Sequence, residues 1–114
     1  MPLLRIQDLP EEALDAARLF HAEVVPFVEL MLAQTGGALT LGLNPADHTH
    51  RDWRTAVVRQ MARKYAPLRI NAVAAASDAA LEAAARYLEA AEGVTGQYLP
   101  LDDAGAGPVL GLLA

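Results

Sequence analysis

Apolar positions along the chain follow two different repeats, and these repeats divide the sequence into strands and helices. Short runs of adjacent apolar residues are typical of buried strands, whereas apolar residues three and four apart are typical of a helix with one buried face. Strand and helix alternate with short links, which favours parallel strands joined by right-handed crossovers. The predicted strands are residues 3–6, 38–43, 68–73 and 97–101, and the predicted helices are residues 10–35, 50–65 and 78–91.

Polar residues, glycine and proline mark the ends of these elements. Asp8 and Glu11 have the spacing of a capping box, which predicts the start of the first helix. Pro26 lies inside that helix and is expected to kink or split it, because proline lacks the backbone donor and clashes one turn back. Gly36 and Gly37 are expected to end the helix, and Ser77 is expected to cap the third one.

These elements predict a single α/β domain over residues 1–114, with an apolar tail at residues 105–114. The expected architecture is a small four-stranded parallel sheet flanked by helices. The inward face of the second helix is expected to carry Trp53, Val57, Met61 and Tyr65. The first strand would form an open sheet edge, which must be covered or paired to avoid aggregation.

Composition points to a folded domain with apolar surface beyond what its core needs. Apolar residues make up 54% of the 114 residues, and oligomerisation is the ordinary use of such surplus surface. The sequence contains no cysteine, so disulfides and thiolate metal sites are excluded. It shows neither a leader pattern nor an apolar run long enough for a membrane span. We therefore expect a cytoplasmic protein without membrane contact.

The charge is unevenly distributed although the whole chain is acidic, with a net charge of −5. Residues 51–69 carry five arginines and Lys64 against the single acid Asp52. We interpret this basic segment as a solvated helix face, with an acidic partner surface or a phosphate as the alternatives. Nucleic-acid binding is not expected, because the domain as a whole is acidic and its aromatic residues lie on the predicted core side.

Two motifs resemble the short-chain dehydrogenase/reductase family. The run from Arg63 to Val73 is similar to the family's helix end, Ala-Pro, strand and Asn-Ala-Val. The run from Val94 to Asp102 resembles its closing Thr-Gly-Gln strand. The helix and Gly-Gly turn before Ala38 look like the segment that precedes the family's active-site serine. The resemblance covers about residues 20–105, and it implies the second half of a Rossmann-like fold.

The same resemblance implies that the family's chemistry has been lost. Counting back from Ala66–Pro67, the lysine of the catalytic Tyr-x-x-x-Lys motif falls at Arg51 and the tyrosine at Asp47. An aspartate is ionised at neutral pH and has no proton to donate. Asn44 stands near the serine position, and no glycine-rich phosphate loop occurs in the sequence. We therefore expect no catalytic residue and no bound cofactor.

The polar cluster from Asp47 to Asp52 allows other interpretations. His48 and His50 with flanking carboxylates suit a divalent metal, but residues two apart near a helix start do not share a face. The favoured interpretation is a loop that caps the second helix through Asp47 or Thr49, with Asp47 and Arg51 forming an exposed i,i+4 ion pair. No metal site is predicted.

The resulting functional hypothesis is a non-catalytic module that oligomerises or binds a partner. In related enzymes, according to the resemblance, the helices equivalent to residues 10–35 and 50–65 form the contact between subunits. A homodimer is therefore expected, and a full-length reductase is a possible second partner. The alternatives are a small-ligand binder and an enzyme of altered chemistry, both using the cleft near Asp47 and Arg51. The expected interface residues are Phe20, Phe27, Met31, Trp53 and Met61.

Overall fold

The computed structural model describes residues 3–101, and it confirms the predicted alternation of strands and helices. The strands are β1 (Leu3–Ile6), β2 (Ala38–Leu43), β3 (Arg69–Ala74) and β4 (Tyr98–Pro100). The helices are α1 (Ala13–Leu19), α2 (Val25–Thr35), α3 (Arg51–Lys64) and α4 (Asp78–Ala90). A π-helical turn (Phe20–Val24) joins α1 to α2, and a 3₁₀ turn (His48–His50) leads into α3.

The sheet has the predicted topology. Its strands lie in the order β1-β2-β3-β4 and every neighbouring pair is parallel. Leu41 lies between Leu4 on β1 and Ala72 on β3, and Val73 lies opposite Leu99 on β4. The molecule is therefore an α/β, Rossmann-like half-domain.

Helices cover the two faces of the sheet unequally. Side chains of β2 and β3 alternate in direction, so that Leu41 and Ile70 join the larger core under α2 and α3. Val73 points to the other face, where it packs with Leu81 and Leu88 of α4. Within the described residues α4 is the only helix on that second face. The first face is thus the thicker layer and carries most of the helical surface.

The start of the first helix differs from the predicted capping box. An N-cap residue needs an extended backbone, but Asp8 has a φ of 64° and turns the chain instead. The helix begins at Ala13, and the Glu12 carboxylate accepts hydrogen bonds from the backbone N–H groups of Leu14 and Asp15. The prediction that Asp8 and Glu11 cap this helix was wrong.

The interruption predicted at Pro26 is confirmed as a π-helical turn. The chain widens over Phe20–Val24 and resumes α-helical geometry at Val25, so that Pro26 is the second residue of α2. A proline in a first turn costs little, because its missing N–H has no partner to lose there. The wide turn thereby keeps one nearly continuous helical segment across the proline.

Other predicted boundaries hold to within one residue. Gly36 ends α2 in the left-handed conformation with a φ of 70°, and the Ser77 hydroxyl caps α4 by accepting from the N–H of Ala80 at 3.1 Å. The predicted apolar tail at 105–114 lies outside the described residues. Among residues 3–101, no helix is both long and apolar enough to cross a membrane.

Candidate functional site

The carboxyl ends of β1 and β2 open onto a cavity of about 300 Å³. The cavity lies between the loop that follows β1 and the loop that leads from β2 into α3. In parallel α/β sheets this edge is where ligands bind, because loops converge there. The lining residues are Ile6, Leu9, Pro10, Glu11, Asn44, Pro45, Ala46, Asp47, His50 and Arg54.

Asp47 caps the turn that starts the α3 segment, as the sequence predicted for this residue. Its carboxylate accepts from the Thr49 backbone N–H at 2.9 Å and from the Thr49 hydroxyl. These hydrogen bonds lower the pKa of Asp47, since they stabilise its charged form. The expected ion pair with Arg51 is not formed: among the described residues, no Arg51 nitrogen lies within 4 Å of an Asp47 carboxylate oxygen. The Asp47 carboxylate is hydrogen-bonded to Thr49 instead.

His50 is buried and tied to its surroundings through both ring nitrogens. Its Nε2 lies 2.8 Å from the Glu11 carbonyl oxygen, and its Nδ1 accepts from the Trp53 indole N–H at 3.0 Å. Because Nδ1 accepts, the proton resides on Nε2 and the ring is neutral in this arrangement. His50 therefore connects α3 to the loop after β1.

Arg54 does not lie on the solvated basic face that its segment predicts, because only 3% of it is exposed. Its Nη1 donates to the Asn44 carbonyl oxygen at 2.9 Å and to the Tyr98 hydroxyl at 3.1 Å. The guanidinium lies 5.7 Å from the ring centres of both Trp53 and Tyr98. The sequence contains a signal for this burial, because Arg54 lies three residues before the buried Val57 and therefore shares its face of the helix.

The resemblance implies that three catalytic residues of the family have been replaced in this chain. The residues at those positions lie near one another at this edge of the sheet: Asn44, Asp47 and Arg51. Asn44 and Asp47 line the 300 Å³ cavity. Arg51 is exposed, and it lines a smaller neighbouring cavity of about 130 Å³ together with Asp47 and Tyr98. The arrangement brings a carboxylate and two arginines to the carboxyl edge of the sheet.

The model of the family of short chain dehydrogenase-like proteins matches residues 4–101. This chain belongs to that family. The matched range runs from β1 to the residue after β4, so the family likeness extends over all four strands. Neither a curated protein nor a solved structure matches the chain significantly.

The two histidines of the polar cluster are not brought together as a metal site. His50 points inward with both nitrogens engaged, whereas His48 is exposed. In the part of the chain that the structure describes, no group of three His, Asp or Glu side chains is placed to hold a metal ion.

The residues expected at an interface have different environments. Phe20 and Met61 are 1% and 3% exposed, so they pack in the core of the monomer and are not accessible to a partner. Trp53 is half-buried, with its ring 5.3 Å from that of Phe20. Met31 is half-buried and Phe27 is 47% exposed. An interface can therefore draw on Phe27, Met31 and part of Trp53, but not on Phe20 or Met61.

Proposed function

We propose that this protein is a non-catalytic, cytoplasmic member of its family that acts by self-association, as a two-fold dimer built on the helical layer of α1, α2 and α3. The observation that carries the proposal is the apolar surface of that layer. Leu14, Phe27 and Leu30 are 71%, 47% and 63% exposed. Large exposed apolar side chains grouped on one layer are typical of protein interfaces.

The charge pattern of the same layer supports a second copy as the occupant. The outer surfaces of α1, the π-helical turn and α2 carry exposed acids, and α3 carries exposed bases. A two-fold axis that places α1 and α2 of one copy opposite α3 of the other would pair these charges twice. The acids are Glu12, Glu23 and Glu29, together with Asp15, which already pairs with Arg18 of its own helix, and the bases are Arg59, Arg63 and Lys64.

The residues at the former catalytic positions support the non-catalytic half of the proposal. Hydrogen bonds from Thr49 lower the pKa of Asp47, so this carboxylate stays ionised at neutral pH and donates no proton to a substrate. Arg51 keeps a positive charge but lacks the compact ammonium group of lysine. A well-packed fold whose site residues do not suit proton transfer favours a role in binding over a role in catalysis.

The test compares two aromatic residues of equal exposure on opposite faces of the sheet. Phe27 on α2 and Tyr87 on α4 are each 47% exposed. Light scattering and native mass spectrometry over a wide concentration range should show a dimer for the wild type. Phe27→Gln should weaken it about tenfold or more, as loss of an aromatic anchor does, whereas Tyr87→Gln should leave it unchanged.

Two results of this comparison would contradict the proposal. One is a wild-type protein that stays monomeric at every concentration. The other is a Tyr87→Gln variant that dissociates as readily as Phe27→Gln, since this would place the contact on the α4 face. If the protein purified from its own cells carries a longer reductase chain in place of a second copy, the surface serves a different partner and the homodimer proposal fails.

A further inference from the structure

We propose that the cavity at the carboxyl ends of β1 and β2 binds a small carboxylic acid, whose carboxylate is held by Arg54. This inference does not depend on self-association, because the cavity and the exposed surface of α1 and α2 involve different residues.

The first observation is a buried cation without a counter-ion. Arg54 is 3% exposed, and among residues 3–101 no carboxylate oxygen lies within 4 Å of its guanidinium. Burial of an unpaired charge is unfavourable, and the Asn44 carbonyl and Tyr98 hydroxyl compensate for only part of it. A bound anion would supply the missing charge.

The second observation concerns which guanidinium nitrogens remain available. Both of the hydrogen bonds to described residues use Nη1. Nε is buried without a partner there and is closed to a ligand. Nη2 makes no hydrogen bond to a described residue, so it is the nitrogen that can donate to an anion in the cavity. The geometry therefore favours a carboxylate oxygen at Nη2, as a charge-assisted hydrogen bond.

The cavity lining restricts the rest of the ligand. At about 300 Å³ the cavity is at the small end of the range for organic ligands. Five of its lining residues are apolar, which suits a short hydrocarbon or a single ring: Ile6, Leu9, Pro10, Pro45 and Ala46. The His50 ring nitrogens are already engaged with Glu11 and Trp53, so the ring has no free donor for a second acidic group.

Two acids in the lining disfavour highly charged anions. Glu11 and Asp47 both line the cavity, and their negative charges are unfavourable for a second negative charge on the ligand. The site should therefore prefer a monocarboxylate to inorganic phosphate or a nucleotide. The ligand class is a small apolar monocarboxylic acid.

The experiment is an NMR titration of the ¹⁵N-labelled wild-type protein with four probes. Isobutyrate and benzoate test the proposal, isobutyramide is the uncharged analogue of the first, and inorganic phosphate tests a divalent anion. We expect saturable shifts of the Trp53 indole and of the lining residues with either carboxylate. Isobutyramide should bind about tenfold more weakly or worse, because it lacks the negative charge that pairs with the guanidinium. Phosphate should also bind about tenfold more weakly or worse, because Glu11 and Asp47 disfavour its second negative charge.

Variants then assign the binding to Arg54. Arg54→Leu should abolish carboxylate binding and Arg54→Lys should weaken it, since lysine keeps the charge but not the planar fork. Arg86→Leu, which removes an exposed arginine of α4 on the opposite face of the sheet, is the control and should bind normally.

The comparison of isobutyrate with isobutyramide on the wild type tests the proposal even if Arg54→Leu does not fold. Failure of the wild type to bind either carboxylate would overturn the proposal. Equal binding of acid and amide, or equal loss of binding in Arg86→Leu and Arg54→Leu, would overturn it as well.

Discussion

At the scale of single residues, His50 holds the loop after β1 against α3. Replacing it with phenylalanine keeps a ring in place but leaves the Glu11 carbonyl and the Trp53 indole N–H without partners. Unpaired buried polar groups of this kind cost about 1–3 kcal/mol each. Because the Glu11 carbonyl and the Trp53 indole are only partly buried, the two losses together should lower the free energy of unfolding of His50→Phe by about 1–3 kcal/mol. Urea denaturation followed by circular dichroism measures this difference. His48→Phe, at an exposed position, is the control.

If the two histidine variants proved equally stable, His50 would not connect the loop and the helix as described. The indole resonance of Trp53 gives a second measurement. It should shift in His50→Phe, because its acceptor is removed, and should stay in place in His48→Phe.

Residue-level properties of the site could be predicted only in part. The capping role of Asp47 depends on a contact with Thr49, two positions along the chain, so the local sequence is enough to predict it. The burial of Arg54 depends on the Asn44 carbonyl and the Tyr98 hydroxyl, which are 10 and 44 positions away. Helical spacing indicates that position 54 faces inward, but only the folded chain supplies the partners that make a buried guanidinium tolerable.

At the scale of elements, the acidic cap of α1 makes stability depend on pH. Two backbone N–H groups, from Leu14 and Asp15, lower the pKa of the Glu12 carboxyl in the folded chain. A depressed folded pKa stabilises the protein above the pKa of the unfolded state, and that contribution is lost as the pH falls through the folded value. Glu12→Gln should thus be less stable than the wild type at neutral pH, and the difference should shrink on acidification.

Thermal unfolding of both proteins between neutral and acidic pH measures this effect. The control is Glu11→Gln, because the described contact of Glu11 uses its backbone carbonyl and not its carboxylate. A difference between wild type and Glu12→Gln that stays constant with pH would show that the Glu12 carboxylate does not stabilise α1 through its charge.

The elements themselves were largely predictable, and the exception has a local cause. Strand and helix periodicities are properties of neighbouring residues, so β2, β3, α3 and α4 follow directly from them. The start of α1 was not predictable from the Asp8 and Glu11 pattern, because Asp8 adopts a left-handed backbone that a capping box does not allow. Glu12 is an uncommon N-cap residue, and the sequence offers no local signal for it.

At the scale of the whole molecule, the order of the elements predicts the sheet topology. It does not predict which apolar helix residues stay exposed to solvent. Phe20 and Phe27 are both aromatic residues of the first helical segment, and Met31 and Met61 are both apolar helix residues. Packing alone separates the buried Phe20 and Met61 from the 47% exposed Phe27. An interface prediction from sequence therefore mixes core residues with surface residues.

The complementary charges of the helical layer lead to a prediction about mixed dimers. Glu23→Lys with Glu29→Lys makes α2 and its π-helical turn basic, and Arg59→Glu with Arg63→Glu makes α3 acidic. Each double variant alone places like charges across the proposed two-fold axis. Because exposed ion pairs contribute about 0.2–1 kcal/mol each, each should self-associate about tenfold more weakly than the wild type.

Mixing the two double variants should restore association, because both α2–α3 contacts across the axis then join opposite charges. One contact joins a lysine-bearing α2 to a glutamate-bearing α3, and the other joins the unchanged α2 to the unchanged α3. Native mass spectrometry separates the heterodimer from either homodimer by mass. The control pair reverses Arg86 and Glu89 on α4, both exposed on the opposite face of the sheet, and should leave the dimer unaffected. If the mixture were no more associated than its components, the acidic and basic surfaces would not face each other, and the dimer would have to be built on apolar contacts alone.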